Sequence, residues 1–198
     1  MVKKTSNIFQ NLEAKALKAG ITPRTKESQA WFRKQIGKLG TISGSKILKD
    51  ERLTKNSKTA VGTMQMFFYD PKTKKNLPFY DKFPLAVIVG PAPGGFYGLN
   101  LHYLPPVLRA KLLDALMEVT NNNKFDDTTK FKISYEILQR AGSMKFYKPC
   151  FKHYLNNHVA SHFGRVSASD YEVAVFLPTA SWSGANANTV YKNSRKQI

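Results

Sequence analysis

Two histidines, His158 and His162, stand four residues apart in "NNHVASHFGRV". On a helix they would share a face and offer two imidazoles to one metal ion. Upstream, Cys150 and His153 form a CxxH pair beside Pro149, whose fixed backbone disfavours a chelating turn. Two ligands of this kind do not close a site, no HExxH signature is present, and acidic residues are few. The histidines therefore read as helix-face residues that pack or meet a partner, and no metal or other cofactor is expected. Cys150 as a nucleophile would need a positioned base and an oxyanion site. The sequence signals neither, so the thiol is expected to be buried. The carboxylates do not pair for acid–base work either: Asp126 and Asp127 look like helix-start residues, while Asp70 and Asp81 flank a turn.

The glycine-rich run "VIVGPAPGGFYGLNLHYLPP", residues 87–106, resembles a phosphate cradle at first sight. Such a cradle needs its glycines between a strand and a helix N-terminus, with a Lys-Ser/Thr pair in the P-loop form. Gly94 and Gly95 are followed instead by another strand pattern, and the pair is missing. The run reads as a hairpin. Pro91 and Pro93 stiffen its loop, Gly94 and Gly95 supply positive φ, and Gly98 permits a bulge or a close approach. No enzymatic activity is expected from any of these groups.

Charge is the stronger chemical signal. The 198 residues carry 31 Lys and Arg against 13 Asp and Glu, a net charge of +18. Residues 1–60 hold 14 basic and 4 acidic side chains, residues 61–120 hold 6 and 4, and residues 121–198 hold 11 and 5. An excess of this size usually faces a polyanion, most often nucleic acid, although lysine-driven solubility or docking on acidic proteins gives the same count. Arg24, Lys26, Arg33, Lys34 and Lys38 surround Trp31 and Phe32, and Lys145, Lys148, Lys152 and Arg165 alternate with Phe146, Tyr147 and Phe151. Such a mix joins phosphate attraction to base stacking. Trp31 and Phe32 are read as anchors, either for packing or for a partner. No helix-turn-helix, zinc-finger or RNA-recognition signature is present, so binding is expected to backbone or to an end rather than to a base sequence.

The elements that must position these residues follow from periodicity. Ile8, Leu12 and Leu17 outline a short helix, a break follows at Gly20 to Pro23, and a second helix carries Trp31, Phe32 and Ile36. Both are too short to be stable alone and must lie on something. Residues 37–58 are rich in Lys, Ser, Thr and Gly and read as a linker or adaptable arm. The centre is β: "VGTMQMFFYDPKT" alternates, and Leu85 to Val89 and Phe96 to Leu101 form two buried strands. A helix starts at Pro105 and Pro106 with Leu108, Leu112, Leu113 and Leu116 as its stripe. "FDDTTKFKISYEILQRAGS" predicts a second helix and "YKPCFKHYLNNHVASHFGRV" a third; a short apolar element then ends at Pro178.

The expected fold is α+β: a small curved antiparallel sheet or SH3-like barrel, with a basic helical arm over residues 1–60 and C-terminal helices completing a core domain over 61–198. The apolar fraction of 42% fits a folded chain, no apolar run reaches the length of a membrane span, and no secretory signal opens the sequence. One cysteine excludes an internal disulfide framework and fits a reducing, intracellular setting.

The runs "MFFYDPKTKKNLPFYDKFPL", "GFYGLNLHYLPPVLRAKLLDAL", "YKPCFKHYL" and "VYKNSRKQI" resemble proteins of T-even-like contractile-tailed phages labelled DNA end protectors. The resemblance covers roughly residues 61–198. It implies a virion-associated protein, assembled in the host cytoplasm, that sits on the ends of the packaged genome near the portal and neck. Its partners would be double-stranded DNA and other virion proteins, with no membrane involved. It supplies no catalytic residues. The rival readings are a neck, tail or baseplate assembly component that touches only protein, and a DNA-processing nuclease.

Overall fold

Short apolar runs closed off by Gly and Pro have become strands, and amphipathic runs with capping residues have become helices. The structure, a computed structural model, describes residues 7–120, 124, 136–137, 140 and 147–196. Helix α1 spans Ile8–Lys18 and α2 spans Lys26–Ile36. Between them Gly20, at φ +69°, closes a Schellman turn in which the Ile21 amide donates to Ala16 O and the Gly20 amide to Leu17 O. Thr25 and Ser28 cap α2 reciprocally. The buried stripe of α1 is Phe9, Leu12 and Ala16, whereas Leu17, expected on that face, is 78% exposed. A 3.6-residue turn groups positions 9, 12 and 16 and rotates position 17 away from them.

Six antiparallel strands form the main sheet in the order β1-β7-β2-β4-β5-β6. They are β1 Thr54–Asn56, β2 Met64–Met66, β4 Leu85–Ala92, β5 Gly95–Asn100, β6 Phe151–Leu155 and β7 Phe163–Arg165. A separate pair joins β3 Tyr80–Asp81 to β8 Trp182–Ser183. The outer strands β1 and β6 do not pair with each other, so the sheet is open and not the barrel offered as an alternative.

The glycine-rich run is the β4–β5 hairpin. Ala92 pairs with Gly95 across Pro93 and Gly94, and Gly94 has φ +70°, the order a type II turn requires. Gly95 serves a different purpose from the one expected, because a Cβ there would lie 1.8 Å from Tyr154 O of the neighbouring strand. The bulge falls on β4, between Ile88 and Gly90.

The sheet separates two apolar layers. One face carries Met64, Met66, Leu85, Val87, Val89 and Leu99 against the helices; the other carries Phe67, Tyr69, Ala86, Ile88, Phe96, Tyr154 and Phe163. Phe9, Leu12, Phe32 and Ile36 belong to the first cluster. The stretch read as a linker also enters it: Gly44–Ile47 is a short helix α3, Ile47, Leu48 and Leu53 are buried, and β1 pairs with β7. Arg52 fastens this stretch, bidentate on Asp170 (2.7 and 3.2 Å) and reaching Glu13 at 2.9 Å.

Helix α4, Pro106–Thr120, begins at its prolines as expected, with Leu112 and Leu113 buried and Leu108 half-buried. The side chain of Leu116 lies outside the described residues, as does most of the second helix predicted after it, Asp126 and Asp127 included; residues 136, 137 and 140 of that run are described and are helical. The third predicted helix is not one. Residues 148–165 form a 3-10 turn, β6, a second 3-10 turn and β7. The open edge of β5 offers unpaired backbone groups, and the alternating, aromatic segment "FKHYL" satisfies them as a strand. Short helices Tyr171–Ala174 and Ala187–Lys196 close the chain.

Candidate nucleic-acid interface

His158 and His162 no longer share a helix face. His158 Nδ1 meets Asp70 O at 2.8 Å in a 3-10 turn, His153 Nε2 meets Pro93 O at 3.0 Å, and His162 is exposed. Among the described residues no three His, Cys, Asp or Glu side chains gather as a metal site would require, and no helix is long and apolar enough to cross a membrane. Cys150 is buried, and burial pushes its thiol pKa up to about 12, which leaves it protonated.

The buried polar centre of the molecule was not legible in the sequence. Asp81 accepts from the Phe83 amide (3.0 Å), the Ser181 amide (3.1 Å) and Asn100 Nδ2 (3.1 Å), and lies 2.7 Å from His102 Nδ1. His102 Nε2 lies 3.2 Å from Thr179 Oγ1. Burial depresses the His102 pKa and Asp81 opposes that; the net direction is downward, so Nδ1–H donates to the carboxylate and Nε2 accepts from the hydroxyl. Burial alone would raise the Asp81 pKa, but the His102 ring and the hydrogen bonds outweigh it and hold the carboxyl below its ordinary range. The order Asp–His–Thr resembles a nucleophile triad. Thr179 is only 1% exposed and His102 fully buried, so no substrate reaches them and the trio acts as a brace.

Beside it Arg109, also buried, donates to Leu104 O (2.7 Å), Val175 O (3.2 Å) and the Tyr191 hydroxyl (3.0 Å). Polar residues inside the apolar run "GLNLHYLPPVLR" were the available signal for this network.

Seven of the nine cations assigned to nucleic acid are exposed: Arg24, Lys26, Arg33, Lys34, Lys38, Lys148 and Arg165. Lys145 lies outside the described residues, as does Phe146. Lys26 and Arg33 come together with Lys111 along a groove between α2 and α4. Arg24 sits at φ +64° just before α2, its amide bonded to Glu172 Oε2 at 3.0 Å. Arg165, on β7, is four strand spacings from β6, about 19 Å along the sheet. The cations are therefore carried by separate elements, α2 with its flanks, the 3-10 turn before β6, and β7. Phe32 is 4% exposed and spends its ring on this chain's own core; Trp31, half-buried and edge-on to it at 5.2 Å, retains some surface.

The ninth cation, Lys152, has a different setting. It stands on β6 opposite Gly98, where no side chain blocks its stem. Its Nζ lies 4.1 Å from the centre of the Tyr103 ring, and no carboxylate is within ion-pair distance of it among the described residues. Burial draws its pKa below the usual lysine value, against the influence of Cys150. It lines a cleft of about 470 Å³ between β5, β6 and the 71–80 loop. Tyr69, Phe79, Tyr80, Tyr103 and Tyr154 supply aromatic walls, with Lys72 and His153 exposed at the cleft. This arrangement can hold an anion next to a flat ring.

Over residues 3–195 the chain matches the sequence family described as "Phage T4 terminal DNA protecting protein". That match takes in residues 3–60, which the resemblance seen in the sequence had left out. No curated protein and no solved structure matches the chain.

Proposed function

Because this chain belongs to the family of the phage T4 terminal DNA protecting protein, we propose that it is a non-enzymatic structural protein of the phage particle that holds DNA, at its ends or in the DNA-filled neck, through phosphate contacts. The observation that carries this reading is the display of seven exposed cations from α2 to β7 on a chain of net charge +18. Exposed cations on separate elements suit a long, uniform polyanion better than a compact ligand. They read backbone and carry no base code. Protection in this reading is steric, because a covered end gives an exonuclease nowhere to load. The closed Asp81–His102–Thr179 brace and the protonated Cys150 thiol support a role without catalysis. The protein would reside in the virion after assembly in the host cytoplasm, beside other proteins of the portal and neck.

The test is duplex binding measured by anisotropy across a salt series. If about six phosphates are neutralised, log K should fall against log salt with a slope of about −5, for unrelated sequences alike. Weak binding at low salt, or a flat response, would overturn the reading in favour of a component that docks only on protein.

A further inference from the structure

The cleft at Lys152 is unlike the rest of the basic surface. Its volume of about 470 Å³ lies in the range of small-molecule sites, about 300–1,000 Å³, so one nucleotide can enter and a duplex cannot. Lys152 is half-buried against a ring, without an ion-pair partner among the described residues. The Tyr154 hydroxyl, buried on the same lining beside Asn100, forms no hydrogen bond of full geometry among the described residues. Asp81 and Asn100 also line it, the carboxylate engaged by the Phe83 and Ser181 amides, Asn100 and His102; the cation, the hydroxyl and the aromatic walls of this cleft match a phosphate, a sugar and a base.

We propose that this cleft receives the terminal nucleotide of a DNA strand, with its phosphate on Lys152 Nζ and its base against the aromatic wall. The inference rests on the DNA-binding reading above and adds a reason for preferring ends. Within a duplex a nucleotide must be unpaired and unstacked on both sides before it can enter so small a space, whereas a terminal one has a single stacking neighbour and frays readily. Stacking on protein aromatic rings is tolerant of base identity, so the preference would be for an end and not for a sequence. The exposed cations would hold the flanking duplex while the cleft takes its last residue.

The experiment compares a short 5′-phosphorylated duplex with a dumbbell of the same sequence closed by loops at both ends. The wild-type protein is expected to bind the open duplex about tenfold more tightly, the contribution of one stacked and phosphate-bound nucleotide. Lys152→Gln should erase that difference, bringing the ratio of open-duplex to dumbbell affinity down to about one. A measurement on the unaltered protein guards against misfolding of the variant: 2-aminopurine at a strand terminus should change fluorescence on binding, and the same probe at the duplex centre should not. A deoxynucleoside monophosphate is expected to displace the terminal signal where inorganic phosphate at equal concentration does not. Equal affinity for open and closed DNA, with a silent terminal probe, overturns the inference and leaves general DNA binding intact. A free nucleotide bound by protein that shows no preference for open ends also overturns it. Failure to bind either DNA would instead overturn the proposed function.

Discussion

Arg109 offers a quantitative test of how the fold holds together. Its guanidinium donates to three main-chain carbonyls, Leu104 O at 2.7 Å, Val175 O at 3.2 Å and, more weakly, His102 O at 3.4 Å, and to the Tyr191 hydroxyl at 3.0 Å. It is 4% exposed, so water cannot take over these bonds. Arg109→Leu fills much of the space but leaves the acceptors without donors. An orphaned buried acceptor costs about 1–3 kcal/mol. Two well-bonded carbonyls, a third held only at 3.4 Å and a hydroxyl that can partly turn to solvent give a loss of roughly 3–6 kcal/mol; even the lower figure should reduce the thermal midpoint by about 6–12 °C in a domain of this size. Arg109→Lys keeps the charge but not the planar fork, and should lose about half as much. Urea unfolding followed by tryptophan fluorescence suits the measurement, because Trp31 on α2 and Trp182 on β8 report from separate elements. A loss below about 1 kcal/mol for Arg109→Leu would refute the reasoning, since it would mean that those carbonyls find other partners.

Two further outcomes are expected. Asp81 and His102 both have pKa values depressed in the fold, so the unfolded chain binds more protons in acid. The His102 contribution is complete above about pH 6.5 and declines below it, and the Asp81 contribution holds until about pH 4 and is lost beneath that. The urea midpoint should therefore fall between pH 7.5 and pH 5 more steeply in the wild-type protein than in His102→Gln, and parallel curves would contradict the assignment. Deleting residues 1–60 removes Phe9, Leu12, Phe32, Ile36, Ile47, Leu48 and Leu53 from the core and strips β1 from β7, so the remainder should show no cooperative melt by calorimetry. A sharp transition would establish residues 61–198 as a domain that folds by itself.

Local signals carried the sequence reading a long way. Gly20 and Pro23 separated α1 from α2, the pair Pro105 and Pro106 opened α4, and Gly94 between two apolar runs marked the hairpin. Each depends on backbone freedom or restriction within a few residues, which a sequence states directly. The same locality misled at residues 148–165, where histidines four apart suggested a helix face. Its Phe151–Leu155 part is a strand because β5 lies beside it with an edge to fill, and nothing within the segment announces a neighbour so distant along the chain.

By itself the sequence determined the mixed α+β class, the hairpin, the break between α1 and α2, the start of α4 and a cationic chain suited to a polyanion. Tertiary structure alone decided which charged groups became exceptional. Asp81, His102, Arg109 and Thr179 meet from β3, the turn after β5, α4 and the approach to β8, and Lys152 on β6 is half-buried against the Tyr103 ring of the turn after β5. Spacing along the chain encodes which side chains share a face. Desolvation and pairing depend on which faces are brought together, and that is set by the packing of segments tens of residues apart.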